Sequence, residues 1–495
     1  MRARAHIPAS TDSRHLARGR FDIRALPRPA AEPQPDAWAW FARTAEVWWT
    51  RSAGRGAIDA AAAARTSGLI AFARERSPYY RRTWSALPQR ELGLNELPVA
   101  TKRDLMACFD EWATDPAVNR TDVDAFLADR THIGERYLGR YIVWKSSGST
   151  AEPGIFVEDE EALATYDALI AVQLAARSLG ASYGWGMLAY GGRAALIAAT
   201  GDHFASIASW QRVCRGLPWP NARAFSVLDP LPRIVAALNA YRPAFVASYP
   251  TMLALLAEER RVGRLRIAPC CMWSGGEYLA LGTAKAIEDT FGCPLINEYG
   301  ASECMSIAFG CSAGNLHVND DWVVLEPVDR EYRPVAPGEI SHTVLLTNLA
   351  NRVQPVIRYD LGDSVAVLTE PCPCGSAMRA IRVHGRSDDV VTFHAAEGRT
   401  VSLLPLALTT VVEDATDIHR FQLVARPGRL LLRLDASEVE RRRDAWHAAA
   451  RALSRYLAAQ SLAHVKVELD PSPPAVDPHS GKLRQVIVDY RPRER

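Results

Sequence analysis

The chain has 495 residues, 48% of them hydrophobic and 23% charged, with a formal net charge of +2. That length exceeds what one ordinary hydrophobic core organises, so two or more domains are expected. The near-neutral balance argues against a dedicated nucleic-acid binder, which carries a clear basic excess, and no apolar run approaches the ~18–20 residues that span a bilayer.

Residues 1–55 are rich in Arg, Pro and Ala, with a linker-like stretch at 27–35, and read as a partly disordered N-terminal extension. The first 28 residues lack the continuous apolar core of a secretory signal, so a cytoplasmic location is expected. Nine cysteines, an odd number in a large chain of this kind, do not suggest a disulfide framework. From 57 to 76, Ala, Leu and Ile recur at helical spacing. Between about 140 and 390, strand-like stretches alternate with helical ones: 245–248 then 252–259, and 267–273 then 283–291. Such alternation predicts a sheet covered by helices. Strands return at 323–327, 340–347 and 364–368 without long helices between them, which predicts a β-rich subdomain. After Asp389, short strands at 421–425, 430–434 and 465–469 surround one charged helix, 436–459. The expected fold class is therefore α/β. A large domain over 56–387 carries the β-rich subdomain, and a small, mobile α+β domain spans 388–495.

Six segments carry chemistry-bearing residues. Lys145-Ser146-Ser147-Gly148-Ser149-Thr150 follows a strand-like stretch, and small hydroxyl residues with glycine let backbone N–H groups converge on phosphate oxygens. Alone, such a loop also reads as an ordinary turn, and it lacks the Gly-Lys-Ser/Thr ending of a Walker loop. The others are Trp273-Ser274-Gly275-Gly276-Glu277, Asn297-Glu298-Tyr299-Gly300-Ala301-Ser302-Glu303, Ile357-Arg358-Tyr359-Asp360-Leu361-Gly362-Asp363, Gly385-Arg386-Ser387-Asp388-Asp389 and His479-Ser480-Gly481-Lys482-Leu483-Arg484. The chain has only five lysines, which makes Lys482 conspicuous.

In this order the six segments resemble the signature motifs of the adenylate-forming superfamily of acyl- and aryl-CoA ligases, adenylation domains and luciferases. Ser77-Pro78-Tyr79-Tyr80-Arg81 and Leu97-Pro98-Val99-Ala100-Thr101-Lys102 resemble the phenylacetate–CoA ligase branch. The resemblance implies that a carboxylate attacks the α-phosphate of ATP and pyrophosphate leaves. It implies that Ser146, Ser147, Gly148, Ser149 and Thr150 cradle phosphates, and that Gly275, Gly276 and Glu277 lie along the adenine. Glu298, Tyr299 and Gly300 would also bind nucleotide, Tyr299 by offering a ring face. Ser302 would donate to the α-phosphate, and Glu303 would hold magnesium, which prefers carboxylate and phosphate oxygens. Asp363 would accept from the ribose diol, Arg386 would reach the ribose or phosphate, and Asp388 would be the hinge between domains. Lys482 would bridge the substrate carboxylate and the α-phosphate, where negative charge builds up.

A carboxylate pocket is expected from Tyr190, Ser248, Tyr249 and Trp273, near strand ends where open α/β sheets place ligands. An aromatic or small acid fits this branch best. Cys311 and His317, with Cys372-Pro373-Cys374, make a Cys3His set, a common closed zinc shell, and some members of the branch hold zinc with a similar set. Cys304 is an alternative ligand. After Asp389, the glycine of the loop that would close on the pantetheine thiol has no clear counterpart unless Gly398 serves. Coenzyme A is the leading acyl acceptor, with a carrier-protein thiol or an amine or other nitrogen nucleophile as the alternative. A catalytically silent binding or scaffold relative is a third reading, against which the intact Glu303, Asp363 and Lys482 speak. The expected partners are thus a small carboxylic acid and an acyl acceptor, with no nucleic acid and no membrane, and a homodimer is left open.

Overall fold

A computed structural model describes residues 37–146, 153–177, 191–216, 221–227, 229, 231–386, 391–395, 400–403, 405–416, 418, 420–435, 439–475 and 483–489. Among them, no helix is long and apolar enough to cross a membrane.

The first helices are α1 (Ala37–Ser52), α2 (Arg55–Arg76) and α3 (Pro78–Thr83). Helix α1 lies inside the segment expected to be an extension, and its inner face is fastened to the body. Val47 is fully buried. Arg51 donates to both oxygens of the buried Asp321, at 3.2 and 2.9 Å, and to Asn319 at 2.9 Å. Arg55 donates to Asp320 at 2.6 Å. Buried carboxylates need such partners, so residues 37–55 belong to the folded body and the extension ends sooner than expected. Ser77 caps α3, as its Oγ accepts from the Tyr80 amide at 3.5 Å and donates to the Trp112 carbonyl at 3.0 Å. The Tyr80 hydroxyl and the Trp112 indole both donate to the Pro355 carbonyl, at 2.8 and 2.7 Å. The Ser-Pro-Tyr-Tyr segment thereby clamps the stretch leading into Arg358.

Short helices α4 (Lys102–Ala107), α5 (Phe109–Trp112) and α6 (Arg120–Ala128) lead to an antiparallel hairpin, β1 (Ile142–Lys145) and β2 (Ile155–Glu158), then α7 (Glu160–Arg177). The expected alternation follows: β3 (Ala194–Ala198), α8 (Ala205–Gly216), β4 (Ala222–Ser226), α9 (Leu231–Tyr241), β5 (Phe245–Ser248), α10 (Pro250–Arg261), β6 (Cys271–Ser274), α11 (Leu281–Phe291) and β7 (Leu295–Ala301). Strand β6 starts later than residue 267 because Pro269 has no N–H for the ladder. Next come β8 (Cys304–Gly310), β9 (Leu316–Val318), β10 (Val323–Val328), β11 (Thr343–Asn348), β12 (Tyr359–Asp360), β13 (Asp363–Val367) and β14 (Ala380–Arg386).

One nine-stranded sheet runs β13-β14-β9-β8-β7-β6-β5-β3-β4. Strands β3 to β7 pair in parallel, whereas β8, β9, β14 and β13 continue antiparallel. The β-rich region expected around 323–368 divides: β10-β11-β12 forms its own three-stranded sheet, and β13 joins the large one. Helices α9, α10 and α11 cover one face of the parallel half. Ile197, Val246 and Met272 are fully buried there, contributing about 1.5–3 kcal/mol each.

Beyond β14 lie the hairpin β15 (Val391–His394) and β16 (Thr400–Leu403), α12 (Pro405–Thr416), β17 (Phe421–Arg426), β18 (Arg429–Leu434), α13 (Val439–Ala459), β19 (Lys466–Leu469) and β20 (Val486–Val488). Their buried residues form a separate cluster that includes Phe421, Leu432 and Leu453. A four-stranded sheet, β19-β18-β17-β20, carries it. These residues have a core of their own, as a separate domain requires.

Candidate active site

The hairpin β1–β2 holds the base of the Ser/Gly loop. The Ser146 amide donates to the Gly154 carbonyl, and the Gly154 amide donates to Ser146 Oγ, both at 2.8 Å. Ser147, Gly148, Ser149 and Thr150 lie outside the described residues. The Trp144 indole donates to the Ser302 carbonyl at 2.8 Å. The loop base is therefore bonded directly to the third motif, 158 residues later.

The third motif rides on the far end of β7, where parallel pairing gives way to antiparallel. A Cβ at Gly300 would lie 1.8 Å from the Met305 carbonyl oxygen. Only glycine fits there, and the β7–β8 register shifts at this point. Tyr299 donates its hydroxyl to Asp363 Oδ2 at 2.7 Å, which joins the third motif to the fourth. Asp363 opens β13 and pairs in register with Arg386 of β14; the Arg386 side chain is outside the described residues. Ser302 is half-buried. Glu303 is buried, and its Oε1 accepts the Tyr359 hydroxyl at 2.7 Å. Arg358, with φ +49°, is structural: its guanidinium donates to the Leu97 carbonyl and to Glu326. Ala100 bridges Tyr359 in parallel there too, as the Ala100 amide donates to the Arg358 carbonyl at 3.0 Å and the Asp360 amide donates to the Ala100 carbonyl at 2.9 Å.

Two residues expected to face a ligand turn to each other instead. The Trp273 indole donates to Glu298 Oε2 at 2.8 Å, and Ser306 Oγ donates to Oε1 at 2.8 Å. Desolvation pushes the Glu298 carboxyl up to about 7, against the two hydrogen bonds that favour its charged form. The Trp273 ring stands edge-on to Phe309, 5.7 Å between centroids. Ser248 and Tyr249 also serve the backbone: Ser248 Oγ donates to the Ile197 carbonyl at 2.6 Å, and the Tyr249 hydroxyl accepts the Ala199 amide at 3.3 Å. Burial raises the Tyr249 hydroxyl to about 12. Tyr190 lies outside the described residues.

In the second motif, Gly276 has φ +79°, a backbone that favours glycine, and a Cβ on Gly275 would meet the Glu298 carbonyl at 3.6 Å. Glu277 Oε2 accepts the Thr251 amide and hydroxyl at 3.2 and 2.7 Å, at the start of α10. Its Oε1 accepts the amide of Leu483 at 3.2 Å. Lys482, the preceding residue in the chain, is outside the described residues, as is Asp388. The Leu483 amide nonetheless bonds the last motif to the second one.

Cys311, His317, Cys372 and Cys374 converge, with all ligand atoms within 4.8 Å of one another. Cys311 Sγ lies 3.6 Å from Cys372 Sγ, and Cys374 Sγ lies 3.2 Å from His317 Nε2. A tetrahedral zinc with ~2.3 Å Zn–S bonds has S···S edges of about 3.8 Å, so the spacing fits. His317 Nδ1 meets the Met378 carbonyl at 2.9 Å, which leaves Nε2 for a metal. Asn315 donates to Cys372 Sγ at 3.3 Å. Desolvation raises the Cys372 thiol, but donors from Asn315, the Cys374 backbone and His317 outweigh it and bring the thiol down to about 6. Cys304, the alternative ligand, is not among the four that converge.

No protein-family model matches the sequence, and no curated protein does. Solved structures do match. One is 2-hydroxyisobutyryl-CoA ligase in the postadenylation state with 2-HIB-AMP, 23% identical, with a TM-score of 0.60 over 88% of this chain and 89% of that one. The same ligase with R3-HIB-AMP is 22% identical, with a TM-score of 0.59 over the same shares. In its thioesterification state, with 2-HIB-AMP and CoA, that ligase scores 0.50 at 22% identity, over 87% of this chain and 89% of that one. The chain has the fold of an acyl-CoA ligase.

Within that ligase fold, sequence reading missed two braces: Tyr359 on Glu303 and Tyr299 on Asp363. A signal existed, because a buried tyrosine hydroxyl needs an acceptor, and both tyrosines sit inside the motifs. The Glu298 carboxyl gives a pH test. Its folded value of about 7 lies above its ordinary 4.5, so its contribution to stability is full below about 4.5 and is lost as pH rises through 7. Urea unfolding should show Glu298→Gln gaining on the wild type between pH 5 and 8. Parallel stability curves for the two proteins across that range would show that the carboxyl is not held up.

Proposed function

We propose that this protein uses ATP and magnesium to activate a carboxylic acid as its acyl-AMP and then passes the acyl group to coenzyme A. The observation that carries this is the convergence of the motifs: Trp144 on Ser302, Tyr299 on Asp363 and Tyr359 on Glu303. The shared fold of an acyl-CoA ligase supports it, as does that ligase's capture with acyl-AMP and with CoA.

On this reading Asp363, fixed by Tyr299, receives the ribose diol. Glu303, fixed by Tyr359, would hold magnesium, which offsets charge on the phosphates when bound. Ser302 donates to the α-phosphate, and the Ser146–Thr150 loop offers N–H groups to the leaving pyrophosphate. Lys482 lies between the carboxylate and the α-phosphate, where a positioned ammonium stabilises the developing charge. Arg386 reaches the ribose or phosphate, and Asp388 is the pivot about which the C-terminal domain turns for the second step. The acid is aromatic or small, received near Tyr190 at the strand ends, with Ser248, Tyr249 and Trp273 as packing surface rather than hydrogen-bond partners, since their polar groups are engaged with Ile197, Ala199 and Glu298. The reaction belongs in the cytoplasm, and a homodimer is part of the proposal. Cys311, His317, Cys372 and Cys374 would hold a structural zinc. One sequence observation favours a second acceptor, an amine or a carrier-protein thiol: the segment after Asp389 has no clear glycine counterpart unless Gly398 serves.

Pyrophosphate release across a panel of carboxylic acids tests the first step. At least one acid should drive it, and Lys482→Ala should slow it on the order of 100-fold or more while ATP still binds. Release with no acid on the panel, or an unslowed Lys482→Ala, removes the proposal. Comparing coenzyme A with amines as additions then identifies the acceptor.

The bond from Leu483 to Glu277 predicts a split between half-reactions. Glu277→Ala should slow acyl-AMP formation by about tenfold, the worth of one charge-assisted hydrogen bond, while transfer from supplied acyl-AMP keeps its rate. An equal fall in both steps would make Glu277 merely structural.

Protein purified without chelator should contain one zinc per chain, and Cys374→Ser should lose most of it together with thermal stability. Substoichiometric zinc that Cys374→Ser leaves unchanged would remove the metal from the account.

A further inference from the structure

Glu303 sits on a turn of two residues. Strands β7 and β8 join through Ser302 and Glu303 alone, with Ala301 paired to Cys304. The carbonyls at the tip of such a hairpin lie outside the ladder, and here each is taken by a fully buried side chain from a remote segment. The Trp144 indole of β1 donates to the Ser302 carbonyl at 2.8 Å, and Asn348 Nδ2 donates to the Glu303 carbonyl at 3.0 Å. A peptide unit is planar, so holding its carbonyl sets the orientation of the whole plane. The Cα of Glu303 lies between the two planes held in this way. Its φ and ψ, and with them the direction of its Cβ, are restrained from both sides. Tyr359 then restrains the far end, with its hydroxyl 2.7 Å from Oε1.

Asn348 is itself held. It ends β11 and is fully buried. A side-chain amide carries two donor hydrogens and an acceptor oxygen, and all are engaged. Nδ2 donates to the Tyr166 hydroxyl oxygen at 2.7 Å as well as to Glu303, and Oδ1 accepts the Ala350 amide at 3.1 Å. Tyr166, on α7, is buried and donates its own hydroxyl hydrogen to Glu158 Oε2 at 3.5 Å. Glu158 is fully buried, and desolvation, with Asp159 beside it, pushes its carboxyl well up, toward the neutral form. The support behind Asn348 therefore ends in an uncharged group and needs no counter-ion in the interior.

We propose that Asn348 is a positioning residue for magnesium binding, with Tyr166 as the group that keeps its amide aimed at Glu303. This rests on the reading that Glu303 holds the cation. Magnesium demands near-ideal octahedral geometry, so a carboxylate that meets it must arrive from one direction. Asn348 supplies the anchor at the main-chain end of Glu303 and Tyr359 the one at the carboxylate. Neither Asn348 nor Tyr166 belongs to the six motif segments.

Calorimetry of ATP with the full chain, with and without magnesium, tests the positioning role whichever acid the protein takes. The wild type should bind ATP more tightly when magnesium is present, and Glu303→Gln should remove that gain. Asn348→Ser, too short to reach the carbonyl, should cut the gain by about tenfold, the worth of one buried hydrogen bond, and leave magnesium-free binding at the wild-type value. Tyr166→Phe keeps the ring in place and should cut the gain by about threefold. Leu238→Ala, in the separate core beneath α9, should lower the melting temperature and leave the gain intact, which separates positioning from general destabilisation. Full gains in Asn348→Ser and Tyr166→Phe, beside a lost gain in Glu303→Gln, overturn the positioning role and leave the magnesium reading standing. An equal fall in ATP binding with and without magnesium makes Asn348 a packing residue and overturns it too. A full gain in Glu303→Gln, or none in the wild type, overturns both. Should Asn348→Ser fail to fold, Tyr166→Phe decides alone, and an undiminished gain there overturns the proposal.

Discussion

With a Cβ at Gly300 only 1.8 Å from the Met305 carbonyl oxygen, β7 and β8 can meet only through a residue without a side chain. That close crossing lies where the sheet changes from parallel to antiparallel pairing. The register shift on either side of Gly300 sends Tyr299 toward Asp363, and the turn that follows places Ser302 and Glu303 against Trp144 and Tyr359. Larger residues at 300 would have to part the strands, and every one of those bonds would move with them.

Each acid expected to meet a ligand is held from behind by a neutral donor. Tyr299 holds Asp363, Tyr359 holds Glu303, and Thr251 holds Glu277. A hydroxyl donor orients a carboxylate without bringing a counter-charge to it. An arginine in the same place would pair with the acid and occupy it. Glu298 shows the contrast. Enclosed and bonded by Trp273 and Ser306, it is pushed toward its neutral form and supports the sheet from within.

What could be read in the sequence follows from which demands are local. Gly276 and Gly300 mark backbone positions, Asp363 and Glu303 mark charges, and three cysteines with a histidine mark a donor set. Each demand restricts residue type, so spacing alone displays it. The helices and parallel strands of the large sheet were legible for the same reason, through alternation of period. Contacts between distant segments were not legible. Nothing near Trp273 announces that its indole serves Glu298 rather than a substrate, and nothing near Arg358 shows that its guanidinium reaches Leu97. Helix α1 was hidden for another reason. Its strongest apolar periodicity points to solvent, so the pattern did not advertise a helix belonging to the body.

Asp320 and Asp321 bind that helix to the rest. Asp321 takes Arg51 of α1, and Asp320 takes Arg55 of α2. Asp320 also accepts the Arg379 amide and guanidinium, at 2.7 and 2.8 Å. Arg379 follows Met378, whose carbonyl receives His317. Two adjacent buried acids therefore connect the aromatic helix, through a few hydrogen bonds, to the cysteine–histidine cluster. A buried carboxylate left without its cation is costly, so neither side can shift far alone. The two ends of this chain of bonds support each other: the cluster fixes the loop that presents Arg379, and the arginines of α1 and α2 keep the acids that Arg379 needs.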